Sequence, residues 1–136
     1  MRHRLVFSSL LLLALSLALA QTALASSKWY VDGVNGSDNN NCKSRQHACK
    51  TIGHAISLAS SGDSIMVAAA IYNENLTISF SLRLLGSGAT TTIIRGSGNT
   101  VVAIPNSGSH VTLAKVTIIN GLSPQGGGST TLGHCG

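Results

Sequence analysis

The period of the apolar residues changes once along this chain, and that change restricts what it can fold into. Ile52, Ala55, Ile56 and Ala59 recur at the spacing of one helix face. Past Gly62 the period drops to two. Ile65 and Val67 alternate with Ser64 and Met66. Leu76, Ile78, Phe80, Leu82 and Leu84 then alternate with Thr77, Ser79, Ser81 and Arg83 without a break through residues 76–84. Further β-branched runs follow at 92–94, 101–104, 111–113 and 116–119, divided by Gly, Ser, Asn and Pro. The outline is one short helix followed by many short strands. Thr51 is the expected N-cap of the helix and Gly62 its expected stop. At about two to three turns the helix is too short to persist unless it packs on a core.

Spacing separates the all-β architectures. "SIMVA" (64–68), "TTIIRG" (91–96) and "VTIING" (116–121) recur at offsets of about 27 and 24, and "NLTI" (75–78) returns as "VVAI" (101–104). A repeat of this length holding a few short strands reads as one coil of a parallel β-helix. Antiparallel sandwiches would place hairpin signals between the strands. Here Asn35-Gly36 precedes the first of these runs and Asn120-Gly121 follows the last. The reading is therefore an all-β solenoid of about two to three coils over residues 62–122. The helix at 51–61 caps the open interior of the first coil. A Gly/Ser-rich tail follows at 123–136.

Two segments flank this pattern at the N-terminal side. Residues 1–25 combine Arg2 and Arg4, an apolar run and two A-x-A sites, Ala18-Leu19-Ala20 and Ala23-Leu24-Ala25. That is the pattern of a secretory signal peptide, and the apolar run is short for a membrane span. The expected product is secreted, periplasmic or cell-surface, with no span left after cleavage. Residues 26–50 form a loop rich in turn-formers, "DGVNGSDNNN" (32–41). Asp32, Asn35, Asp38 and Asn40 are oxygen donors of the kind calcium takes, although EF-hand spacing is absent and Asx turns account for the same residues. No other cofactor is expected. In an oxidising compartment Cys42 and Cys49 are expected to pair as a disulfide. The competing reading is a metal site, since Cys42, His47, Cys49 and His54 alternate in type, but their spacing departs from common zinc patterns. Cys135 is left over. Beyond the signal segment, Lys28, Lys43, Arg45, Lys50, Arg83, Arg95 and Lys115 face only four acids, Asp32, Asp38, Asp63 and Glu74. The basic residues are scattered rather than clustered, which argues against a nucleic-acid partner.

"CKTIGHAISLASSGDSIMVAAAIYNENLTI" (49–78) resembles the capping helix and first coil of right-handed parallel β-helix proteins of the pectin lyase-like superfamily. Lys50, Thr51, Ile52, Ala55, Ile56, Gly62, Asp63, Ile65, Val67, Tyr72 and Glu74 stand where that pattern has them, while Ala70 stands where glycine is usual. "YVDGVNGSDNNNC", "LLGSGATTTIIRG" (84–96) and "VTLAKVTIING" (111–121) resemble its leading loop and later coils. The resemblance implies a bacterial export product and gives Asp63, Tyr72 and Glu74 structural turn roles. Asp63 is expected in the turn before the first strand, and Tyr72 and Glu74 at the corner between the first two strands. The superfamily contains enzymes and non-enzymes alike. Two to three coils stand only about 12–15 Å tall, shorter than a polysaccharide groove, so later coils are expected to be missing from this chain.

No catalytic set assembles from Asp63, Glu74, Lys50, Arg83, Arg95, Lys115, the pairs Gly53-His54 and Gly133-His134, or His110. The expectation is a non-catalytic structural, cell-surface or carbohydrate-binding role, with a polysaccharide or cell-surface component as partner. The alternative is the N-terminal part of a polysaccharide lyase or glycoside hydrolase.

Overall fold

The computed structural model describes residues 25–98 and 100–120. The segment expected to be a signal peptide, up to residue 24, the end of the expected coils at 121–122, and the tail at 123–136 with His134 and Cys135 lie outside the described residues. The chain runs β1 (Lys28–Val31), α1 (Ile52–Leu58), β2 (Ser64–Val67), β3 (Ala70–Tyr72), β4 (Leu76–Thr77), β5 (Leu82–Gly86), β6 (Thr92–Gly96), β7 (Val102–Ala103), β8 (Val111–Ala114) and β9 (Thr117–Asn120).

These strands form three sheets, ordered β1-β2-β5-β8, β3-β6-β9 and β4-β7, and every pairing is parallel. From β2 onward the chain visits the three sheets in a fixed order and sets each strand beside its counterpart from the previous visit, while β1 and β2 follow one another in the same sheet. Register follows the two-residue period, because a slip of one residue would turn every apolar side chain to the other face. Trp29, Ile65, Leu84 and Leu113 stand in one inward row across the largest sheet. Tyr72, Ile94 and Ile118 line up in the second sheet, and Leu76 pairs with Val102 in the third. Ile65, Leu84 and Ile94 are fully buried, each contributing about 1.5–3 kcal/mol by leaving water.

Several sequence expectations need correction. The strand expected to run unbroken through 76–84 is two strands, β4 and β5, in different sheets. Alternation continues through the bend because Ile78 still packs inward there. "SIMV" does not stack on "TIIRG". Ser64 pairs with Arg83, so β2 lies against β5, while β6 belongs to another sheet. Residues 26–50 are not all loop, since β1 begins the largest sheet. Tyr72 closes a strand of its own, β3, ahead of the corner at Asn73 and Glu74.

The helix also ends before Gly62. Ala59 caps it in extended conformation, donating to the Ala55 and Ile56 carbonyls at 3.1 and 3.2 Å. The next amide, Ser60, donates instead to the Asp63 carboxylate at 2.9 Å, so the helical ladder loses its continuation. Gly62 then takes φ +91, a conformation in which a Cβ is strained, and donates to Ser81. Helix α1 packs against β1, β2 and β4 through Ile52, Ala55 and Ile56.

The free edge of β1 is covered by the loop that follows it. Tyr30 donates to the Cys42 carbonyl at 2.8 Å and accepts from the Cys49 amide at 2.9 Å, while Asp32 donates to the Cys49 carbonyl at 2.8 Å. The Cys42–Cys49 disulfide, with Cα atoms 5.0 Å apart, closes the second half of this loop. Gly36 fits between the Asp32 and Cys49 carbonyls, where any Cβ would collide with backbone. Covering a strand edge in this way removes a template for aggregation.

Candidate functional site

Outward-facing positions of a half-buried sheet should be polar, and one row of the largest sheet is not. Tyr30, Met66, Leu85 and Ala114 stand side by side across β1, β2, β5 and β8, all partly exposed. The neighbouring outward row, Lys28, Ser64, Arg83 and Thr112, is hydrophilic. Over the apolar row lies a half-open cleft of about 450 Å³, lined by Tyr30, Met66 and Leu85 with Asp32, Arg45 and Ser87. Arg45 comes from the disulfide-fastened loop and Asp32 from the end of β1, so a cation and an anion flank an apolar floor carrying one aromatic ring. Small-molecule and sugar sites share that composition, an apolar bed with a few polar groups that fix orientation.

A second open cleft, about 560 Å³, lies at the corner formed by Asn73, Glu74, Asn75, Arg95, Gly96 and Ser97. Its Glu74 and Asn75 side chains are committed to backbone groups. The Asn75 amide donates to the Ser97 and Thr100 carbonyls at 2.7 and 3.1 Å and accepts from the Ser97 N–H at 2.8 Å.

The acids explain more of the fold than of any chemistry. Asp63, buried, accepts from the Ser27 amide (2.7 Å), the Ser60 amide (2.9 Å) and the Trp29 indole N–H (2.8 Å). Burial pushes its carboxyl up, but those three donors and the nearby Lys43 outweigh burial and hold it below the usual carboxylate value. Glu74 accepts from the Ile52 and Gly53 amides, both at 2.9 Å, which are the first two N–H groups of α1. Asp38 accepts from the Lys50 and Thr51 amides and the Thr51 hydroxyl. Burial raises the Asp38 carboxyl, and these bonds more than reverse the effect. Asp32 closes an Asx turn on Val34 and Asn35, and the Asn35 N–H in particular lowers its carboxyl. All four carboxylates of the sequence thus hold backbone amides. Burial pushes the Tyr72 phenol up, against the Gly33 N–H it accepts, while its O–H donates to the Ala68 carbonyl at 2.8 Å.

The basic candidates are dispersed. Arg83, Arg95 and Lys115 are exposed, and Lys50 donates to the Gly33 carbonyl at 3.2 Å. Lys43 lies 3.3 Å over the Trp29 ring centroid, a cation–π contact between residues the sequence does not place together. His110 is exposed and its amide donates to the Ser81 hydroxyl. Among the described residues no buried side-chain nitrogen or oxygen lacks a hydrogen-bond partner, and no helix is long and apolar enough to cross a membrane.

The sequence reasoning missed Tyr30, Met66 and Leu85 as a set. The available signal was the failure of alternation in "SIMV" and "LRLLG", where an apolar residue occupies an outward position. The family model described as "protein of unknown function (DUF1565)" matches residues 34–133. No curated protein and no solved structure gave a match.

Proposed function

The chain belongs to the DUF1565 family, and from that membership we propose that it is an exported, non-catalytic right-handed β-helix that binds carbohydrate on its outer sheet face. Three features support the β-helix reading. The family is associated with such proteins, the sheets are all parallel, and the chain returns to each sheet in the same order. In this reading residues 26–50 lead in, 51–61 cap the interior, and the coils occupy 62–122 in the manner of the pectin lyase-like superfamily. The signal pattern at 1–25 and the Cys42–Cys49 disulfide both suit an oxidising compartment.

The observation that carries the binding reading is the cleft over Tyr30, Met66 and Leu85. A pyranose ring presents a C–H face that packs on an aromatic or apolar strip, and hydroxyls at its edge that pair with a carboxylate or guanidinium. Tyr30 supplies the face, and Arg45 and Asp32 the edge. The involvement of all four carboxylates with amides supports a binding role over acid–base catalysis.

Titration calorimetry with a panel of neutral and uronic-acid oligosaccharides tests this. Tyr30→Ala and Arg45→Ala should each weaken binding at least about tenfold, or about 1.4 kcal/mol, with the melting temperature unchanged. Binding that survives both substitutions, or cleavage of any of these sugars by the protein, would overturn the reading.

A further inference from the structure

Outside the cleft, one cluster of metal-binding side chains stands at the covered edge of the largest sheet. Cys42 and Cys49 are fully buried, and both sulfurs and a ring nitrogen of half-buried His54 lie within 4.8 Å of one another. His54 is carried there by the first turn of α1. Its amide donates to the Thr51 hydroxyl at 3.2 Å, and Thr51 is anchored in turn by Asp38. The other histidine of the sequence pattern, His47, is exposed and turned to the Ser44 hydroxyl, 3.1 Å from its Nδ1. The fold therefore selects one histidine of the two.

We propose that Cys42, Cys49 and His54 form a redox-gated site for a thiophilic d¹⁰ ion, Zn²⁺ or Cu⁺, which is closed while the disulfide is intact and opens when an external dithiol reduces it. Tetrahedral ligation at about 2.0–2.3 Å sets donor atoms about 4 Å from one another, so the two sulfurs must separate once their bond is reduced while the His54 nitrogen needs only a small inward shift. Three protein ligands leave a fourth position for solvent, on the half-exposed side of His54.

The gating follows from the chemistry of the sulfurs. One thiolate of the dithiol attacks a sulfur of the disulfide and forms a mixed disulfide. Its second thiol resolves that bond, so the reductant leaves as a cyclic disulfide. Two electrons and two protons have then arrived at Cys42 and Cys49. Metal binding displaces both protons to solvent, because the thiolate is the ligand. Attack of one thiolate on an external disulfide, followed by attack of the other on the mixed disulfide, re-forms Cys42–Cys49, leaves the external disulfide as two thiolates and releases the ion.

The experiment uses the full chain in a Cys135→Ser background, reduced with dithiothreitol that is then removed anaerobically, and titrated with Co²⁺ alone. A sulfur-to-cobalt charge-transfer band saturating at about one equivalent, and displaced by Zn²⁺, is expected. The oxidised protein should show none. His54→Ala should weaken Co²⁺ at least about tenfold, and His47→Ala should leave the titration unchanged. Far-UV circular dichroism of each variant runs in parallel. X-ray absorption of the Zn²⁺ form of the reduced chain without the histidine substitutions counts two sulfurs and one imidazole without relying on a mutant's folding. No band from the reduced chain, a sulfur-only shell, or a His54→Ala titration matching that of the parent would each overturn the proposal.

Discussion

Asp63 shows how much a single side chain can organise. Its two oxygens tie the lead-in to β1, through the Ser27 amide and the Trp29 indole, to the turn just past α1, through the Ser60 amide. Asp63→Asn preserves shape but replaces one acceptor oxygen with an NH₂ group facing N–H donors. Such a swap loses charge-assisted bonds worth about 1.5–3 kcal/mol and leaves a donor unpaired. Chemical denaturation should therefore show a loss of about 2–3 kcal/mol, with oligosaccharide binding intact. A change under about 0.5 kcal/mol would contradict this role. Two carboxylates around a short apolar run, Asp63 and Glu74, look in the sequence like an acid pair. Each accepts bonds from its own set of backbone amides, and only the fold reveals which amides those are.

Helix α1 illustrates the same division at the scale of an element. Its periodicity and its Thr51 cap are readable directly, yet its own first turn carries no acidic residue. The negative charge that an N-terminus favours arrives from the corner after β3, through Glu74. Glu74→Gln should cost about 1 kcal/mol, in the range of a lost helix cap. It should also accelerate hydrogen exchange at Ile52 and Gly53 more than at β2 or β5. Uniform acceleration across the domain would rule out this local role. Short strands proved the hardest elements to read. β1 and β3 offer four and three residues, too few for a period to rise above the surrounding turn-formers. Conversely, alternation persisted through the bend between β4 and β5, because an extended corner keeps pointing every second residue inward. The cleft was the least legible feature. Its floor is assembled from single residues on β1, β2 and β5, and pairing them requires a register that the repeat spacing aligned wrongly.

For the whole molecule, acid is the condition that tests these contacts together. Asp32, Asp38 and Asp63 all have carboxyls lowered by hydrogen bonding in the folded state. Each folded value lies below the unfolded one, so the unfolded chain binds more protons in the interval between them. The stability these groups contribute is fully present above about pH 4 and is lost as the pH falls through their folded values. Thermal melting at constant ionic strength should decline steeply below about pH 4, and the decline should be shallower in Asp63→Asn. A melting temperature independent of pH across that interval would refute the linkage. Parallel pairing and the position of the helix were readable from period and spacing, and the disulfide from the expected oxidising compartment. The number of sheets was not, because a corner leaves no mark in the hydrophobic pattern.

The assignment of every carboxylate to an amide also bears on how such a sequence can change over time. The acids are tied to backbone geometry, whereas Lys28, Arg45, Arg83, Arg95 and Lys115 are exposed at the surface. Isoelectric point can then drift almost entirely through gain and loss of basic residues. A lineage moving to a new salinity could retune its charge without disturbing the positions that make it fold.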